Sequence, residues 1–280
     1  MKYLISGNKG QLGIEFQSKL ESIDANVMGF DRDEIDIAEK DKLSDIVLGF
    51  RPDVIINCAA FNLVDEAELD EGPAYRTNVI GVKNLGELAD EINAFLIHFS
   101  TDYVFDGTKT EPYTEEDEAN PQTKYGRSKL LGEMALSEIF DNYLLLRTSW
   151  LYGKGIQNFV YKFLNWAKSG RELKISSNEV SVPTYTSDLV EFTRHSLKMG
   201  LKGTFHLVNS GYCSRYDWAS EIAIKFNLNN KLIDVPKESF SLPAKRPDFS
   251  ALSNSLISGV LDLEIPEWKD GLKRFADRYR

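Results

Sequence analysis

The pattern that most constrains this chain is its opening. Lys2 to Ser6 is a short β-prone run; Gly7-Asn8-Lys9-Gly10-Gln11-Leu12-Gly13 follows, and a helical pattern then continues through Leu20. A strand that breaks into a glycine turn and restarts as a helix gathers backbone N–H groups and the positive helix end around one point. That point suits a pyrophosphate, and the glycines at 7, 10 and 13 let it approach the backbone closely. Asn26 to Phe30 reads as the second strand, and Asp31 closes it where a carboxylate meets the ribose hydroxyls of an adenosine. A carboxylate there favours NADH, whereas Arg32 and Lys9 suit a 2′-phosphate, so NADH and NADPH both stand. The expected cofactor contacts are Gly7, Lys9, Gly10, Gln11, Leu12, Gly13, Asp31 and Arg32 here, with Cys58-Ala59-Ala60 after a third strand, Asp53 to Asn57. Small residues there let the cofactor lie against backbone. The expected fold is α/β, a doubly wound parallel sheet.

A second constellation lies between Leu96 and Lys129. Leu96-Ile97-His98-Phe99 is an apolar run suited to a buried parallel strand, and it delivers Ser100, Thr101 and Asp102 at its carboxyl end. Ligands of open α/β sheets bind at that end. Gly107, Pro112 and the acidic run Glu115 to Glu118 predict a mobile, solvated loop. A helix is then expected from Thr123 to Ile139, with Tyr125 and Lys129 on one face. A tyrosine phenol starts from a pKa of about 10. An ammonium one turn away is expected to lower it. Such a tyrosine can protonate a carbonyl that receives a hydride, while Thr101 or Ser100 hydrogen-bonds the same oxygen. With 12 Tyr in the chain, roughly one Tyr-x-x-x-Lys pair arises by accident, so the pair draws its meaning from the glycine loop.

Composition narrows the partners. The formal charge of −10 argues against nucleic acid, which calls for a basic surface. No apolar run reaches membrane-span length, and Met1 leads straight into the first strand, so a cytoplasmic protein without a membrane partner is expected. Cys58 and Cys213 are too few and too far apart for a disulfide framework or a zinc site. His98 and His206 sit inside apolar strands and read as buried structural side chains rather than catalysts.

Taken together, GNKGQLG at 7–13, DIAEKDKL at 36–43, PDVIINCAA at 52–60, STDYVFDG at 100–107, YGRSK at 125–129, RTSWLYG at 147–153 and NFV at 158–160 resemble the dTDP-4-dehydrorhamnose reductase family of extended short-chain dehydrogenases/reductases. The glycine spacing is the variant used by that class. The resemblance implies reduction of the 4-keto group of dTDP-6-deoxy-L-lyxo-4-hexulose, a nucleotide-linked 6-deoxy sugar, with Thr101, Tyr125 and Lys129 as the catalytic set. It implies cofactor contacts at Asp36, Ile37 and Ser100, with Tyr125 and Lys129 shared. The substrate contacts it implies are Asn62, Asp102, Tyr103, Val104, Phe105, Trp150, Asn158 and Arg246, the last from the family's Arg-Pro segment, where Arg246 or Lys245 neutralises a diphosphate. Some family members are described with an interface Mg²⁺ held by Glu residues. Glu15 matches one such position, but its partners are not placed and no metal is assigned; a homodimer stays open.

The chain departs from the family pattern at Asn62, Glu66, Asn178, Glu179 and Ser181, where the family has Thr, Lys, Asp, Gln and Gly. These positions fall where the substrate is expected, which leaves the sugar and its nucleotide open. The expected domains are 1–150 with a returning segment near 185–209 for the dinucleotide, and 151–184 with 210–280 for the substrate. Ser214 is expected to cap a helix. A 4,6-dehydratase places Glu after Thr-Asp, where this chain has Tyr103. The rivals kept are an epimerase, which holds its cofactor tightly, and a non-catalytic NADP-binding regulatory subunit like the β subunit of methionine adenosyltransferase.

Overall fold

The computed structural model describes residues 1–170 and 172–279. Five strands, β1 (Lys2–Ser6), β2 (Asn26–Phe30), β3 (Val54–Asn57), β4 (Phe95–Thr101) and β5 (Tyr143–Thr148), join Gly203–His206 in one six-stranded parallel sheet. The spatial order is Gly203–His206, β5, β4, β3, β1, β2. The order reverses at β1, which pairs with β2 on one side and β3 on the other. Such a reversal opens a crevice at the strands' carboxyl ends, and there the loops after Ser6, Phe30 and Asn57 lie side by side.

Both faces of the sheet are covered, which is why β3 and β4 read as near-continuous apolar runs. On one face Phe16 and Leu20 of α1 (Gln11–Glu21) pack with Leu189 and Val190 of the Thr186–Lys198 helix. On the other, Leu43 and Val47 of α2 (Lys40–Phe50) meet Val82, Leu85 and Leu136. The helical run that ends at Ile92 begins at Gly72, and its Arg76–Gly81 stretch is a wide π turn. Asn78 explains that turn. Its amide exchanges hydrogen bonds with the Phe61 N–H (2.9 Å) and carbonyl (3.0 Å) and donates to Ser128 Oγ (2.9 Å). Extra-wide turns of this kind often mark functional sites.

The segment after Asp102 was expected to be mobile, and it is pinned instead. Tyr113 is buried, its ring stacked on Phe105 at 4.3 Å, and its backbone bonds to Ala251 and Ser253. Glu115 accepts the His206 N–H at 2.7 Å, and Asp117 pairs with Lys109 at 2.7 Å. Local composition is polar here, but the few apolar side chains find Val182, Val208 and Leu252 from distant segments.

After β5 three small two-stranded pairings and three helices, Phe159–Ala167, Arg215–Lys225 and Trp268–Tyr279, gather around Trp218. Ser214 caps its helix in a reciprocal capping box with Asp217, as expected. The Thr186–Lys198 helix and the Gly203–His206 strand return to the main sheet.

Candidate active site

The glycine loop is closed on itself. Gly7 has φ +72°, and a Cβ there would lie 2.7 Å from the Ala59 nitrogen; one at Gly13 would lie 2.2 Å from the Gly7 carbonyl oxygen. Only glycine therefore lets the loop fold this tightly against the β3 loop and the first turn of α1. No side chain caps α1 at Gly10, and no acidic residue stands in its first turn. Its N–H donors and its positive end face a cleft of about 790 Å³ that runs along the carboxyl edge of the sheet. Ser100 Oγ and Thr148 Oγ1 are buried on the same cleft without partners. An uncapped helix start and orphaned hydroxyls are what a dinucleotide would satisfy.

Every expected cofactor residue except Gly13 lines this cleft. Gly13 is a packing position instead, pressed on Gly7 and Asn8. The Asp31 carboxylate accepts the backbone N–H groups of Lys9 (3.1 Å) and Arg32 (2.7 Å). The Lys9 ammonium is drawn to Asp33 at 2.8 Å, while Arg32 stays exposed on the cleft wall. Burial pushes the Asp36 carboxyl upward, but the Ala38 N–H and Arg76 outweigh it and hold the pKa below the ordinary value. Ile37 is buried beneath Gly81, where a Cβ would lie 2.4 Å from its side chain.

At the centre, β4 ends in Thr101, whose hydroxyl donates to Asp102 at 3.1 Å and accepts the Tyr103 N–H at 3.2 Å on the same cleft as the Tyr125 phenol. Tyr125 and Lys129 project from the Lys124–Ile139 helix, capped by Thr123, which accepts the Gly126 N–H at 3.0 Å. Lys129 is almost fully buried and donates to the Phe99 carbonyl at 2.7 Å. Burial lowers its pKa to about 8 despite the opposing charge of Glu133. Burial also pushes the Tyr125 phenol up to about 12, with the Thr101 hydroxyl opposing. The sequence-based expectation of a lowered tyrosine pKa is therefore not met in this cleft. The Lys129 amine is turned to a strand carbonyl, and loss of hydration dominates. A protonated phenol at neutral pH is the form that donates a proton.

The expected substrate residues divide. Asn62, Tyr103, Trp150 and Asn158 line the cleft. The Asn158 amide donates to Gln11 (2.7 Å) and its carbonyl caps the Phe159–Ala167 helix, so it also ties the two sides of the cleft. Asp102 reaches the cleft wall, but its carboxylate accepts bonds from Ser181 (2.9 Å) and Ser250 (2.5 Å) and anchors those loops. Val104 and Phe105 do not face the cleft; both are fully buried with Tyr113 and Leu252, because their apolar side chains gain more from that cluster. Arg246 is also displaced. Asp65 takes its guanidinium at 2.6 and 3.1 Å, and it borders a separate hollow with Lys237 and Phe249.

Two cleft residues carried no local signal as site residues in the sequence. Arg215 and Trp218 open the Arg215–Lys225 helix, and their segment read only as a helix start. Trp150 stacks on Trp218 at 5.5 Å, and the Arg215 guanidinium lies 3.5 Å from the Trp150 ring centre. Glu15 lies 3.9 Å from Arg278, and among the described residues no group of three His, Cys, Asp or Glu is placed to hold a metal. His98 and His206 are buried, and burial lowers the pKa of both, so neither carries charge at neutral pH.

A parallel sheet with a glycine-lined switch point, a hydroxyl at the end of β4 and a Tyr-x-x-x-Lys helix beside it define the extended short-chain dehydrogenase/reductase class. Solved members of that fold agree at low identity: the UDP-glucose 4-epimerase of Thermus thermophilus, solved with NAD, superposes with a TM-score of 0.86 at 19% identity over 100% of this chain and 99% of that one. Within the class, the family described as RmlD substrate binding domain matches residues 1–280, and the chain belongs to it. The dTDP-4-dehydrorhamnose reductase of Escherichia coli K12 is 36% identical, covering 99% of this chain and 97% of its own length. A dTDP-4-dehydrorhamnose reductase from Bacillus anthracis, solved in complex with NADP, superposes with a TM-score of 0.96 at 34% identity over 99% of both chains. The spore coat polysaccharide biosynthesis protein SpsK of Bacillus subtilis is 34% identical over 98% of this chain and 96% of its own.

Proposed function

We propose that this chain is an NAD(P)H-dependent reductase of a nucleotide-linked 4-keto-6-deoxy sugar, converting dTDP-4-dehydro-L-rhamnose to dTDP-L-rhamnose. The observation that carries the reading is the convergence of Thr101, Tyr125 and Lys129 at the end of β4, in one cleft with the glycine loop and the uncapped start of α1. The reduced nicotinamide supplies the hydride. The Thr101 hydroxyl turns from Asp102 to donate to the substrate oxygen, and the Tyr125 phenol gives that oxygen its proton as the C=O becomes CH–OH. Lys129 supplies positive charge that limits the cost of the phenolate left behind, and it holds the ribose hydroxyls. The exposed Arg32 guanidinium suits a 2′-phosphate, which favours NADPH over NADH.

In this reading, residues 1–150 with 185–209 hold the dinucleotide, and 151–184 with 210–280 hold the sugar nucleotide. No helix among the described residues is long and apolar enough to cross a membrane. A cytoplasmic reaction belongs to the same proposal, and a homodimer is the assembly to test by light scattering. The functional test is a panel of nucleotide-linked 4-keto sugars, followed by loss of NADPH absorbance. Tyr125→Phe should lower turnover on the order of 10²–10⁴-fold while NADPH still binds. Retained turnover in that variant refutes the assignment, and NAD copurifying with an inactive reductase favours an epimerase.

A further inference from the structure

The cleft carries four cationic side chains, Lys9, Arg32, Lys129 and Arg215. Lys9 and Arg32 stand on the loops at the end of β1 and β2, and Lys129 sits under the catalytic tyrosine. Arg215 alone among them stands on the far side, on the helix that follows the small strand pair Val180–Ser181 and Cys213–Ser214. Its guanidinium is largely withdrawn from water, with 17% of the side chain exposed. One face lies on Trp150 at 3.5 Å, and the rings of Phe159 and Trp218 close in at 4.9 and 5.5 Å. Trp150 is itself held flat by Trp218. The plane of the guanidinium is therefore fixed, and its edge is left with donors.

Among the described residues those donors meet no hydrogen-bond acceptor. Glu179 approaches to 3.6 Å, which is an ion pair without a hydrogen bond, and no side-chain hydrogen bond of Arg215 occurs among the described residues. A buried guanidinium with open donors is costly unless something else supplies oxygens. The residue expected to do this work, Arg246, is already held by a two-pronged bond to Asp65 and faces the neighbouring hollow. Tyr103 packs edge-on against Tyr125 at 6.0 Å, and both line the same cleft as Arg215. Carbons one and four lie at opposite ends of a pyranose ring, so a keto carbon at Tyr125 leaves the anomeric phosphate to be met elsewhere on the cleft, and Arg215 is the cleft cation away from the dinucleotide loops.

We propose that Arg215, clamped on Trp150, is the diphosphate-recognising residue of the substrate subsite, taking non-bridging phosphate oxygens on its free edge in place of Glu179. This rests on the nucleotide-sugar reading given above. It assigns the anion contact to the stacked arginine rather than to the Arg-Pro segment.

The test is calorimetric binding of dTDP, with thymidine and NADPH as companions, to the full chain and to Arg215→Gln and Arg215→Lys. Loss of a charge-assisted contact should weaken dTDP binding about 10- to 100-fold in Arg215→Gln. Thymidine and NADPH affinities should stay within about twofold. Arg215→Lys keeps the charge without the flat fork and should fall between, and it serves as the readout if the glutamine variant folds poorly. With the keto-sugar nucleotide, KM should rise by more than kcat falls. Glu179→Gln should tighten dTDP, since a competing carboxylate is gone. Unchanged dTDP affinity in both arginine variants overturns the proposal, as does an Arg215→Gln effect on the keto-sugar with none on dTDP, which would mean a sugar contact. If the unaltered protein binds NADPH but no dTDP, the nucleotide-sugar reading itself fails first.

Discussion

Lys129→Met is expected to make the protein more stable at neutral pH and catalytically dead. Methionine is close to lysine in length and flexibility and fills the same space without charge. The lysine is 2% exposed, and burial brings its pKa from 10.5 to about 8. At roughly 1.4 kcal/mol per pH unit, that displacement is a cost of about 3 kcal/mol for carrying the ammonium inside the fold. Methionine removes this cost and also loses the 2.7 Å bond to the Phe99 carbonyl, a neutral-bond loss of about 1 kcal/mol. The net gain is about 2 kcal/mol, or about 4 °C in Tm for a chain of this size. The pH dependence has a definite sign. Below about pH 8 the lysine is charged in both folded and unfolded chains, and the cost is present in full. Between about 8 and 10.5 the unfolded chain holds the proton and the folded one does not, so the unaltered protein gains stability as pH rises. Above that window the cost is gone and the Phe99 bond leaves the unaltered protein ahead by about 1 kcal/mol. Urea unfolding of both proteins at pH 7 and at pH 10.5, without cofactor, measures the crossing. A variant less stable at pH 7, or a gap that does not move with pH, refutes the argument that the buried charge is what the fold bears for its function.

Two glycine substitutions should have opposite signs. Gly13→Ala places a methyl 2.2 Å from the Gly7 oxygen and should lower stability by about 1–3 kcal/mol and weaken NADPH binding at least tenfold; Gly49→Ala, in an exposed turn of α2 with nothing within 4 Å, should add about 0.5–1 kcal/mol. Glu133 and Arg147 tie the tyrosine helix to β5 through a buried pair at 2.7 Å, so Glu133→Leu should cost about 3–5 kcal/mol in urea unfolding; a loss under 1 kcal/mol would show that the arginine finds water. Asp65→Ala frees Arg246 from the carboxylate that holds it at 2.6 Å. If Arg246 has no part in the diphosphate contact, dTDP affinity should change less than threefold, which calorimetry reads directly.

The sequence by itself determined the sheet and the positions of the chemistry. Residues that are neighbours along the chain carried that information: a strand breaking into glycines, a strand ending in Ser100-Thr101, and Tyr125 one helical turn from Lys129. Spacing of this kind survives folding, because strands and helices fix the direction of successive side chains. The tertiary structure decided what each group experiences and which distant residues join it. Thr101-Asp102-Tyr103-Val104-Phe105 read as one substrate-facing stretch, yet Tyr103 faces the cleft while Val104 and Phe105 are drawn to Leu252. The tyrosine pKa went up because hydration is lost in a packed site, a quantity no local pattern contains. Arg246 looked available until Asp65, far away in sequence, took it, and Arg215 looked like the start of a helix until Trp150 came to lie against it. Competition between partners distant along the chain is settled only when the chain has closed on itself, and that is where the linear text stops.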